Sequence, residues 1–158
     1  MTDMLERSRV TRFSGAAAWI PTIVRVVSGG FFVSTGFGKF LDYSHEVDEF
    51  RRFEVPLPDV AVPAVGLLEV FGGVLLVIGL LTRPVALALA LNMVGALLTA
   101  GRVVGGSFHL VFAPSLLLLM LFLLWAGPGH LSIDAGTLRG GKRPKAGGAT
   151  TWRDPSLE

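Results

Sequence analysis

The sequence predicts an all-α protein: a polytopic membrane four-helix bundle with an amphipathic segment between its first and second helices. Three observations carry that expectation. Of the 158 residues 51% are hydrophobic, and the mean hydropathy is +0.62, a surplus that fits a bilayer better than a water-soluble core. The charges gather at the two ends and in one loop instead of being interspersed. Four stretches also approach the roughly 20 apolar residues that cross a bilayer core of about 30 Å.

The first stretch, about 19–40, is interrupted only by Arg25 and Lys39. Arg7, Arg9 and Arg12 precede it as in a signal peptide, but "AAA" lies before the apolar run, where no cleavage site belongs, so the span is expected to be retained. Then "FLDYSHEVDEFRRFEVPLPDV" brings six acids, with Phe40, Tyr43, Val47 and Phe50 at helical spacing, the pattern of a helix lying on the membrane surface. Asp42, His45 and Glu49 share one face of it. A lone histidine among carboxylates is common on solvated faces, and no metal is expected. "VPLPD" is expected to stay extended, because a residue before proline avoids the α region. The second span, about 60–82, holds Glu69. The third, 84–101, fills the uncharged interval between Arg83 and Arg102, with Pro84 in its first turn. The fourth, 108–126, is the most lipid-like, and Pro114 is expected to kink it or mark its early end. These spans form a domain over 19–136. It is preceded by an N-terminal segment, 1–18, and followed by a basic, Gly-rich tail, 137–158, expected to be disordered.

With four spans both termini share a side. That side collects nine of the Lys and Arg residues and the opposite side four, so both termini of a multi-pass chain are expected in the cytoplasm. A formal charge of +2 gives no reason to invoke nucleic acid. The absence of cysteine excludes disulfides and iron–sulfur ligation by this chain, and three scattered histidines argue against heme.

Glu69 is the anomaly. Counted from Asp59 it lies roughly 15 Å inside the span, too deep for a short side chain to reach the interface. A charged group at mid-span costs about 3 kcal/mol on insertion scales. It therefore needs a partner, a proton or water. On the first span Arg25, Ser28, Gly29, Phe32, Gly36 and Lys39 share a stripe, and depth counting makes Arg25 the expected mate of Glu69. Gly66, Gly72 and Gly73 flank the acid, allowing close helix approach. Ala88, Asn92, Gly95 and Thr99 form a small and polar stripe on the third span, and His109 opens the fourth. Arg25, Lys39, Glu69, Asn92 and His109 are thus the candidate ligand-binding or proton-coupling residues of a polar bundle interior.

The residues now carry a resemblance. "RVVSGGFFVSTGFGKF", then the amphipathic segment, then "VPLPDVAVPAVGLLEVFGGVLLVIGLLTRPVAL" and the closing "GPGHLSIDA" resemble the DoxX family of small bacterial membrane proteins over roughly 20–136. The Glu-Gly-Gly run is the most specific part. The resemblance implies a membrane subunit that works with other subunits in a redox complex, with a quinone-like ligand as its cofactor. Arg25 and Lys39 would then donate hydrogen bonds to the ligand, and Glu69 would carry the coupled proton. A non-enzymatic scaffold docking a soluble partner, or a small transporter, would use the same residues, so the sequence leaves open whether the chain is part of an enzyme.

Overall fold

The computed structural model describes residues 13, 15–103 and 111–134. After a 3-10 turn, Gly15–Ala18, the helices are α1 (Trp19–Leu41), α2 (Tyr43–Arg52), α3 (Pro58–Ile78), α4 (Thr82–Leu98), a short α5 (Ala100–Val103) and α6 (Ala113–Ala126). The chain is an all-α membrane protein. Among the described residues, Ala16–Leu41, Pro58–Ile78 and Thr82–Val103 are long and apolar enough to cross a membrane, and α6 is a shorter apolar helix. The three long helices and α6 run antiparallel in chain order. α1 packs most extensively on α3, and α4 on α6.

Apolar side chains cover the outside of this bundle: Ile23, Val27, Phe71 and Leu118 are among many that stand exposed, as a lipid-facing surface requires. The inside holds a compact apolar cluster of Phe32, Leu76, Ala86, Leu89, Met120 and Leu123, none more than 1% exposed.

Glycine sets the spacing of α1 and α3. A Cβ built on Gly36 would lie 2.8 Å from both the Glu69 Cβ and the Gly66 carbonyl, closer than real contacts allow. Only a residue without a side chain lets the helices meet there. The pairing also sets the depth of the acid: Glu69 stands level with Gly36, one turn below Lys39.

Proline and left-handed residues mark the helix starts. The residue before Pro58 does avoid the right-handed α region, but Leu57 does so with φ 52°, and Pro58 opens α3 directly. The extended conformation expected through "VPLPD" therefore ends earlier, because proline at a first helical position gives up an N–H that would have no partner anyway. Pro63 lies inside α3 and removes a donor from the ladder. The Asp59 carbonyl, four residues earlier, accepts the Tyr43 hydroxyl at 2.9 Å instead. Pro114 stands in the first turn of α6, which directly follows the π-helical residues 111–112.

On α2 Val47 is buried, while Arg51 pairs with Asp48 and Asp59, and Arg52 with Glu49. The charged face is thus spent on pairs at the surface and the apolar face covers the bundle end.

The opposite end of the bundle is closed by residues 127–134, which fold back across it. The His130 N–H donates to the Thr22 hydroxyl at 2.8 Å, and the imidazole stacks on Trp19 with ring centroids 6.0 Å apart. Asp134 accepts from the Leu81 and Thr82 amides at 3.1 and 2.9 Å and from the Thr82 hydroxyl at 3.0 Å. A carboxylate 52 residues downstream therefore caps the N-terminus of α4, whose own Leu81 has no side chain able to do so.

Candidate functional site

The buried acid is built from three helices. Glu69 on α3 is 4% exposed. Lys39 on α1 donates from Nζ to its Oε2 at 2.8 Å. Thr35, one turn earlier on the same face, reaches the same oxygen at 3.3 Å. Asn92 on α4 donates from Nδ2 to Oε1 at 3.0 Å. Both carboxylate oxygens are satisfied, and the cluster ties α1, α3 and α4 together. Lysine, threonine and asparagine replace the water that the membrane interior withholds.

The expected Arg25–Glu69 pair is not formed. Arg25 is 1% exposed and donates from Nη2 to the Leu131 carbonyl, with Asp134 as its counter-charge. Its Nε and Nη1 find no hydrogen-bond partner among the described residues. The reason is depth. Glu69 is level with Gly36, and Arg25 lies 11 residues below that point, roughly 16 Å along the helix axis. Arg25 thus belongs to the closure at the terminal end. There Gly79 is indispensable twice: it ends α3 in the left-handed region at φ 73°, and a Cβ on it would land on the Arg25 guanidinium.

Above the Lys39–Glu69–Asn92 cluster lies a cavity of about 750 Å³, partly open to the exterior. Its walls are largely apolar, with Phe31, Phe50, Phe53 and Phe112 among them, and Glu46 and Glu49 of α2 also line it. The Phe31 and Phe112 rings stack nearly parallel, 5° apart in plane with centroids at 6.1 Å, and bridge α1 to the last helix. The small and polar stripe of α4 faces this space through Asn92 and Gly95, and Thr99 continues it at the helix end. An apolar chamber with a few convergent polar groups is the usual form of a small-molecule site. Lys39 and Asn92 are the groups able to offer a ligand hydrogen bonds there.

Of the five candidates, Lys39, Glu69 and Asn92 meet, Arg25 lies elsewhere, and His109 falls outside the described residues. Among the described residues no three His, Asp or Glu side chains gather as a metal site, and His45 is exposed on α2. Two contributors escaped the sequence reading. Thr35 is one turn before Lys39, a spacing that offered a signal. Asp134 lies in "GPGHLSIDA", where no periodicity marks it as a cap.

Comparison with known proteins agrees with this architecture. The family model described as DoxX matches residues 20–102. Rv3486, a membrane protein of Mycobacterium tuberculosis, is 35% identical over 141 residues, covering 80% of this chain and 84% of that one. CatD of Bacillus subtilis, provisionally named an oxidoreductase, is 29% identical over 120 residues, covering 76% of this chain and 88% of its own. The Escherichia coli inner membrane protein YqjF is 33% identical over 115 residues, covering 71% of this chain and 87% of its own. No solved structure matches. Family model, relatives and fold agree: this chain belongs to the DoxX family.

Proposed function

We propose that the chain is the integral membrane subunit of a redox complex and that its cavity binds a quinone-like ligand. The observation that carries this reading is the cavity itself, an aromatic-walled chamber whose polar cluster is Lys39, Glu69 and Asn92. A quinone is a flat ring with two carbonyl acceptors and often an apolar tail. Lys39 uses one of its three donors on Glu69, which leaves donors for a carbonyl oxygen. Glu69 is placed to exchange a proton with a ligand oxygen as the ring is reduced to the quinol. The quinone would supply the electron chemistry. The chain's own residues bind the ring, orient it and hold the proton. The provisional name of CatD is consistent with such a role.

The same reading places four spans in a bacterial inner membrane with both termini in the cytoplasm, supported by the nine-to-four distribution of basic residues and by the name of the E. coli relative. It also assigns the electron donor to other subunits, since a chain without cysteine brings no thiol of its own.

Purification in mild detergent with mass spectrometry of bound small molecules tests the proposal. Quinone is expected to co-purify, and Glu69→Gln and Lys39→Ala are expected to lower its content at least tenfold. Leu118→Ala, on the lipid-facing side, is expected to leave it unchanged. Equal quinone in all four proteins would overturn the reading.

A further inference from the structure

The cavity occupies only one half of the bundle. Its lining comes from residues 31–39 of α1, 61–69 of α3, 91–100 of α4 and α5, and 112–116 beside and within α6. In an antiparallel arrangement all of these lie at the α2 end. Toward the terminal end the helices close on one another. A Cβ built on Gly73 would lie 2.6 Å from the Gly29 carbonyl oxygen, so the backbones of α1 and α3 touch there. Beside that contact Phe32, Leu76, Ala86, Leu89, Met120 and Leu123 form a plug, each at most 1% exposed. The Ser28 hydroxyl at this level is committed to the Val24 carbonyl at 2.6 Å. Below the plug the returning segment holds Arg25 through the Leu131 carbonyl and the start of α4 through Asp134.

We infer that the cavity is single-ended: ligand, water and any proton held at Glu69 exchange with the aqueous phase at the α2 end and not with the terminal side. A close-packed apolar layer has no room for water and no groups to relay a proton. The bundle is therefore a blind vestibule and not a conduit across the membrane. The inference builds on the cavity as a ligand site and gives that site a direction: whatever delivers protons to a ligand held there works on the α2 side.

A chain without cysteine makes the test clean, because one introduced thiol is the sole target of a thiol reagent. Single variants Ser44→Cys on α2, Ala96→Cys in the cavity wall and Ala86→Cys in the plug are reconstituted in vesicles. A charged, membrane-impermeant methanethiosulfonate is then applied from each side in turn. Ser44→Cys identifies the α2 side. Ala96→Cys is expected to react at least tenfold faster from that side than from the other, and Ala86→Cys to react from neither. Reaction of Ala96→Cys from the terminal side, or from neither side, would overturn the inference. A second measurement needs no cysteine. Wild-type proteoliposomes loaded with a pH dye are expected to leak protons no faster than empty ones, and a leak abolished by Glu69→Gln would overturn it. Both results are independent of whether the ligand is a quinone, so either proposal can fail alone.

Discussion

Glu69 and Lys39 show what one side chain requires of its neighbours. Each is nearly enclosed, with 5% and 12% of its side chain exposed. Removing one member of such a pair strands the other as a buried charge, whereas removing both leaves Thr35 and Asn92 but no buried charge. Lys39→Met is therefore expected to destabilise the protein by roughly 1–3 kcal/mol in detergent unfolding, and the double variant Lys39→Met with Glu69→Leu by less. A double variant less stable than the single one would show that the pair itself, not its desolvation, dominates. The acid, its need for a partner and the stripe that supplies one were all legible in the sequence. The choice between two cations on that stripe was not. It depends on how far α3 slides along α1, which the contact of Gly36 with Gly66 and Glu69 decides. Periodicity reports which face a residue occupies and is silent on the vertical offset between helices.

At the level of elements, hydropathy located α1, α3 and α4 well because their length is a property of the bilayer. Helix ends depend on local backbone chemistry, and there the reading was weaker. Pro63 and Tyr43 illustrate a dependence between two helices. The hydroxyl satisfies a carbonyl that proline leaves open. Tyr43→Phe is expected to cost about 1 kcal/mol. In a Pro63→Ala background, where the helix ladder supplies its own N–H, the same change is expected to cost less. Thermal unfolding of the four proteins of that cycle measures the coupling, and equal costs in both backgrounds would show that the hydroxyl is not serving that carbonyl. The cap on α4 is a second such case. Asp134→Ala is expected to lower stability by about 1 kcal/mol or more, the usual cost of losing a helix cap. Asp134→Asn keeps an acceptor and is expected to lose less.

Across the whole molecule, the bundle divides into a hollow half next to α2 and a sealed half next to the chain ends. The proposed topology turns that division into a compartment assignment. A fluorescent protein that matures only in the cytoplasm is expected to glow when fused after Glu158, and alkaline phosphatase at the same position to be inactive. The reverse pattern would put the hollow half on the cytoplasmic side. The seal also bears on biogenesis. Arg25 and Thr82 receive their partners, Leu131 and Asp134, from the last described residues of the chain. A nascent polypeptide can thus thread its hydrophobic segments through the insertion machinery one after another, but it can lock them only once the ribosome has delivered residue 134. Until then a guanidinium and an uncapped helix start wait without their mates, and a chain truncated just short of that point would be a target for membrane quality-control proteases.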